Sequence, residues 1–260
     1  MEQSFDLAID HQSKSKLHTN LFPLITACVN KLDMQALSDV SDRIVQDVLR
    51  VISSSKDALS HEDAITLTGS LADKIGTSFL RYMDHLKAPL LTGLNNFEEQ
   101  SVCKASIIAI ADILGSLKDQ MFPMCNDIVK CMMDLLRSPS ADRYLKPPAI
   151  GLFGEIARAI GGRFFDYYAN IILGLLDQAG SVVITGEEDE DFIDYANSLR
   201  LAILEAYVEI IVCANEFGKI ISVLFFLHTK LCNNCVNQTN DIRKDRDHGA
   251  KSWEFTNIYT

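Results

Sequence analysis

Cys232-Asn233-Asn234-Cys235 spaces two thiols as zinc ribbons and dithiol oxidoreductases do. A structural zinc needs four ligands, and neither a second CxxC nor an HxxxH pair follows; His228 and His248 are the nearest candidates. A redox CxxC opens a helix after a strand, and no strand pattern precedes this one. The six histidines are dispersed, with no Ser/His/Asp or Cys/His pattern. Gly161-Gly162 lacks the spacing and the lysine of a phosphate loop. No catalytic residue, metal or cofactor is therefore expected, and no enzyme. What the chain has in quantity is carboxylate: 35 Asp and Glu against 24 Lys and Arg, for a net charge of −11. The charge is uneven, with 31 acids and 18 bases in residues 1–218 but four acids and six bases in 219–260. An acidic body disfavours nucleic acid and anionic membrane and suits a basic partner.

The elements that must position these acids are helical. "TLTGSLADKIGTSFLRYM" from Thr66, "AIADILGSLKDQMFPM" from Ala109 and "LFGEIARAIGGRFFDYY" from Leu152 align in register. Ile75, Leu117 and Ile160 coincide, as do Leu71, Ile113 and Ile156, at steps of 42 and 43 residues. A weaker copy, "AILEAYVEIIVCANEF", follows after the insertion "SVVITGEEDED" at 181–191. Helix pairs at this period indicate an all-α HEAT or armadillo-type solenoid. The predicted first (A) helices are 36–54, 78–95, 119–137 and 163–180. The second (B) helices are 60–76, 98–117, 140–161 and 189–216, with 17–33 the last helix of a preceding unit. Gly76 and Gly161-Gly162 supply left-handed helix ends, Ser140 or Asp142 caps the next helix, and Lys146-Pro147-Pro148 kinks or restarts one. Residues 1–16 read as a poorly ordered segment or a partial helix, and 219–260 as a divergent tail with a short capping helix over 219–231 before a disordered end.

With each apolar stripe turned inward, the opposite face of the B helices carries Glu62 and Asp73, then Asp112 and Asp119 with Lys104 at the edge, then Glu155 and Arg158. The last carries Asp191, Asp194, Glu205, Glu209 and Glu216. Stacked, these make an acidic strip. It is either a solvated face or a groove for a Lys/Arg-rich segment, in which exposed pairs worth ~0.2–1 kcal/mol each hold only a long ligand. The five acids of Glu187–Asp191 are likewise either a spacer or a contact arm. The N-terminus has no basic start and apolar core, so it is no secretory signal. No stretch approaches the roughly 18 apolar residues of a membrane span. Seven cysteines without a framework read as reduced intracellular thiols.

Four stretches carry a family resemblance: "FLRYMDHLKAPLLTGLNNFEEQSVC", "FPMCNDIVKCMMDLL", "DRYLKPPAIGLFGEIARAIGGRFFDYY" and "DFIDYANSLRLAILEAY". They are similar to the C-terminal third of importin-beta, the karyopherin-beta nuclear transport receptor, over about Gln12 to Gly218. The resemblance implies a right-handed HEAT superhelix of about four repeats plus a preceding helix, spanning 17–218. Its B helices would grip the basic helix of an importin-alpha-type adaptor or basic cargo. It also implies a contact with Ran-GTP, and Phe-Gly nucleoporins bound between A helices. The acids Glu62, Asp73, Asp112, Asp119, Glu155, Asp191, Asp194, Glu205 and Glu209 then face the adaptor. Phe79, Tyr82, Phe122, Phe164 and Phe165, at the starts of A helices, either pack between units or meet Phe-Gly segments. Cytoplasm, nucleus and nuclear pore would be its locations. After Phe217 the sequence departs from the family, and the single Trp, Trp253, lies in this tail, so the repeats lack concave-surface tryptophans. The rival readings are a HEAT scaffold subunit of another complex and a truncated product without a function of its own.

Overall fold

The computed structural model describes residues 21–55, 57–181, 189–221 and 223–224. Contacts divide the chain into two units, 1–213 and 214–260. The first is a stack of helix pairs: α1 (Leu21–Val29), α2 (Met34–Ser54), α3 (Ala58–Ile75), α4 (Met83–Leu94), α5 (Gln100–Leu117), α6 (Phe122–Arg137), α7 (Lys146–Ile160), α8 (Gly162–Tyr167), α9 (Ala169–Ala179) and α10 (Glu190–Glu216). No strand occurs among the described residues. The A helices are α2, α4, α6 and the broken α8–α9; the B helices are α3, α5, α7 and α10. Of the second unit, the described part is the end of α10, Gly218 at φ 67°, and a helical turn that begins near Ile220. Residues 1–16, the CxxC, His228, His248 and Trp253 lie outside the described residues.

Local chemistry sets the boundaries. Asp33 and Asp57 cap α2 and α3, each accepting a bond from the backbone N–H three residues on, at 2.8 and 3.0 Å. The third B helix begins at Lys146, not at 140. Asp142 accepts from the Tyr144 N–H at 2.7 Å and starts a 3-10 turn, Arg143–Leu145. Pro147 and Pro148 then occupy the first helical turn, where no N–H partner is needed. The predicted A-helix starts are 3-10 segments as well, Gly76–Tyr82 and Lys118–Met121. The fourth A helix breaks at Tyr168. The apolar run Gln100–Arg137, where no membrane-spanning stretch was expected, passes a length-and-composition test for one; 56% of its window is buried within the stack.

Every one of the first three B helices ends in the same backbone state. Gly76 lies at φ 57°, ψ −135°, Lys118 at 51°, −129° and Gly161 at 56°, −129°. This reverses the chain and lays the following A helix back against its partner. Glycine reaches the state freely; Lys118 is held there against its own Cβ.

Adjacent B helices pack directly, α3 on α5 and α5 on α7. Small residues permit it. A Cβ on Gly69 would meet the Ala109 Cα at 2.9 Å and the Asp112 Oδ2 at 2.7 Å. One on Gly154 would meet the Ala206 Cα at 3.1 Å and the Glu209 Cβ at 3.2 Å. The A helices are tied instead by polar bonds one repeat apart: Tyr82 to Ser41 at 2.8 Å, Lys87 to Asp127 at 2.7 Å and Tyr168 to Asn126 at 2.7 Å. Gly69→Val is expected to cost about 2–3 kcal/mol by overpacking, whereas Gly174→Ala, where a Cβ meets nothing within 4 Å, gains about 0.5–1 kcal/mol of helix propensity. Thermal or urea unfolding reads both. Lys118→Gly relieves the strained backbone and is expected to stabilise by about 1 kcal/mol, seen as a higher Tm.

Candidate functional site

The B-helix surface carries two adjoining cavities. One, of about 580 Å³, is lined by Asp73, Asp112, Lys118, Glu155 and Arg158 over a floor of Gly76, Ala111 and Gly115. The other, of about 410 Å³, is lined by Asp112, Glu155, Glu205 and Glu209 beside Ile107, Ile108, Pro148 and Leu152. Asp112, Glu155 and Ala111 belong to both, so the cavities form one groove crossing α3, α5, α7 and α10.

The acids stand in register. Asp112, Glu155 and Glu209 follow one another at 43 and 54 residues, the repeat steps once the insertion before α10 is included. Asp112 lies against Gly69 and Glu209 against Gly154 of the preceding B helix, while Glu155 shares its cavities with Ala111. Close helix approach therefore brings like charges together. Burial, then Asp73 and Glu155, push the Asp112 carboxyl above the usual carboxylate range. Glu155 is held by Arg158 on its own helix.

Five of the nine predicted acids meet in this groove: Asp73, Asp112, Glu155, Glu205 and Glu209. The other four do not line it. Glu62 sits half-buried at the start of α3, where with burial and Asp57 it lifts neighbouring Asp63 to about 6. Asp119 was placed on the B-helix face, but the chain has already turned at Lys118. It lies in the 3-10 segment and pairs with Arg163 at 3.3 Å, whose guanidinium covers the Phe122 ring at 4.8 Å. Asp191 and Asp194 are exposed in the first turns of α10, where Asp189 caps the helix through the Phe192 N–H at 2.7 Å. Residues 182–188 of the acidic insertion lie outside the described residues.

The aromatic set divides differently. Phe79 and Phe164 are fully buried and Tyr82 nearly so, its hydroxyl bonded to Ser41 of the preceding repeat. Only Phe122 and Phe165 are half-buried. Two apolar clefts between neighbouring repeats lie elsewhere. Ile52, Ile65, Pro89, Gly93 and Val102 line one of about 290 Å³. Leu136, Ile150, Leu175, Tyr195 and Leu199 line its counterpart two repeats on, of about 280 Å³. Gly69 and Gly154, two repeats apart in register, are a sequence signal for the close helix approach that the helical-wheel reading did not use. Two of the buried thiols are held protonated: burial, then Cys131, push Cys103 to about 11, and burial, then Asp119, push Cys125 to about 12.

A family described as "Importin subunit beta-1-like, TPR repeats" matches residues 1–249, past the point where the sequence resemblance was expected to end. The importin subunit beta-1 of Arabidopsis thaliana is 32% identical over 206 residues, covering 77% of this chain and 24% of that protein. A crystal structure of importin beta in a polyethylene glycol condition superposes with a TM-score of 0.80 at 27% identity, over 91% of this chain and 30% of that one. A Kap95:Nup1 complex does so at 0.74 and 22% identity, over 88% and 28%. The chain thus spans about a quarter of the length of the curated relatives it matches.

Raised carboxyls imply a pH signature with a definite sign. A carboxyl whose folded pKa exceeds its unfolded value favours the folded state at low pH and weakens it as pH rises through the folded value. Asp63→Asn is therefore expected to be more stable than the parent protein at pH 7, the gap opening between about pH 4 and about pH 6; Asp112→Asn shifts stability in the same direction. Urea unfolding across pH 3.5–8, with each variant beside the parent, gives the readout; a gap independent of pH would rule the assignment out.

Proposed function

This chain belongs to the importin beta-1-like family of HEAT-repeat proteins, and from that premise we propose that it binds a basic helix along its B-helix groove. The ligand is that of an importin-alpha-type adaptor or a basic cargo, carried between cytoplasm and nucleus. The observation that supports this most is the register of Asp112, Glu155 and Glu209 across three B helices, beside the apolar wall of Ile107, Ile108 and Leu152. An amphipathic helix with lysines or arginines along one edge fits such a groove. Each exposed charge pair contributes little, about 0.2–1 kcal/mol, so affinity comes from their number and falls with salt. Binding and release, not bond chemistry, is the activity.

Contacts with Ran-GTP, as the agent of release, belong to the same reading. So do Phe-Gly nucleoporins: Nup1 is the partner in the Kap95 complex this fold resembles. The two apolar clefts suit a phenylalanine ring better than Phe79 or Phe164, which are covered.

The test is titration of a labelled basic amphipathic helix into the whole chain at 50 and 300 mM salt, with a scrambled peptide of equal charge as control. Saturable binding that beats the control and weakens with salt is expected. Charge reversal at Asp112, Glu155 and Glu209 together should reduce affinity at least about tenfold. Equal binding of both peptides would leave only a diffuse acidic surface and sink the proposal.

A further inference from the structure

Lys118 is an anomaly on three counts. It is the one non-glycine residue at positive φ among those described. Its register counterparts, Gly76 and Gly161, adopt the same conformation without a side chain. It lines the larger acidic cavity together with Asp73, Asp112 and Glu155, and is exposed. Yet among the described residues no ion pair holds it. Arg158, the other cation of that cavity, is taken up by Glu155.

We infer that Lys118 is a specificity-determining residue of the groove: a fixed, solvated cation that sets the register in which a basic helix can lie. This rests on the basic-helix reading above and adds a constraint that an acidic surface alone does not impose. Without Lys118 the remaining cation among the described residues lining the strip from Asp73 on α3 to Glu209 on α10 is Arg158, which Glu155 takes up. With it, a ligand cation arriving midway meets a like charge. Lys118 follows the last turn of α5, so its position is tied to the backbone reversal that every one of these repeats makes. A long side chain on a fixed turn covers a small, defined part of the groove, and like charges there repel where opposite charges would attract. The ligand that fits has two basic clusters separated by a neutral or acidic residue opposite Lys118. The acids flanking each side, Asp73 towards α3 and Glu205 and Glu209 towards α10, take the two clusters.

Alternative explanations for the lysine are weak. As a helix C-cap it gains from the negative end of the helix dipole but carries a backbone cost, since its Cβ opposes the conformation that Gly76 and Gly161 reach freely. Solubility does not require it either, because Asp119 and Gln120 follow immediately and are exposed.

Two helical peptides of identical composition test this. Each carries the same lysines, arginines and one Glu; in one the Glu sits midway along the basic face, in the other at the C-terminal end. Wild-type protein is expected to prefer the mid-face Glu by about two- to five-fold at low salt, the range of one exposed charge contact. Lys118→Gly keeps the backbone conformation, removes the cation, and should bring the ratio to about one. Lys130→Gln, which removes an exposed cation from the A helix α6, should leave the preference intact. If both peptides bind and Lys118→Gly leaves the ratio unchanged, the register role is wrong and the groove reading stands. A drop of equal size in Lys130→Gln would also overturn it, by showing a general charge effect. If neither peptide binds to either protein, the groove reading itself falls and takes this inference with it.

Discussion

Backbone-to-backbone approach of neighbouring B helices is the constraint on which the rest of this solenoid depends. Gly69 against Ala109 and Gly154 against Ala206 leave no room for a Cβ, so the B helices lie nearly in contact. Close approach buries the apolar faces of α5 and α7, where Ile107, Ile110, Ile113, Ile150, Phe153 and Ile156 are all under 3% exposed. A fully buried side chain of this kind contributes about 1.5–3 kcal/mol, which far outweighs the electrostatic cost on the open face. That cost exists because the same approach stacks Asp112, Glu155 and Glu209 at successive repeats.

The two sides of the stack are therefore held by different physics. On the A-helix side, polar bonds at one-repeat spacing tie each helix to the next, and buried Asp47 binds Arg43 and Arg50 of its own helix. On the B-helix side, apolar contact works beneath a row of carboxylates, where burial first, then the neighbouring Asp73 and Glu155, raise the pKa of Asp112.

Much of this was legible in the residues themselves. The recurrence of Ile75, Leu117 and Ile160 yields the repeat, and Gly76 and Gly161 mark where the chain turns. Five groove acids follow from counting 100° steps along the B helices. Asp119 was misplaced because the helical wheel was carried two residues past Leu117, where the sequence itself ends that B helix. The aromatic residues were ambiguous for another reason: Phe79 and Phe164 begin a unit in sequence, but one-dimensional position carries no information on which side of the seam a ring falls.

Sequence by itself determined the helix pairs, their period and the acidic character of one face, because these depend on local periodicity and composition; the family came from the resemblance of four collinear stretches. Tertiary structure alone decided which acids share a cavity, which aromatics are sealed, and that a lysine lines the same cavity as three of the acids. Those depend on how closely one repeat lies on the next. That distance is set by the packing of residues some forty positions apart, where the absence of a single Cβ decides what touches.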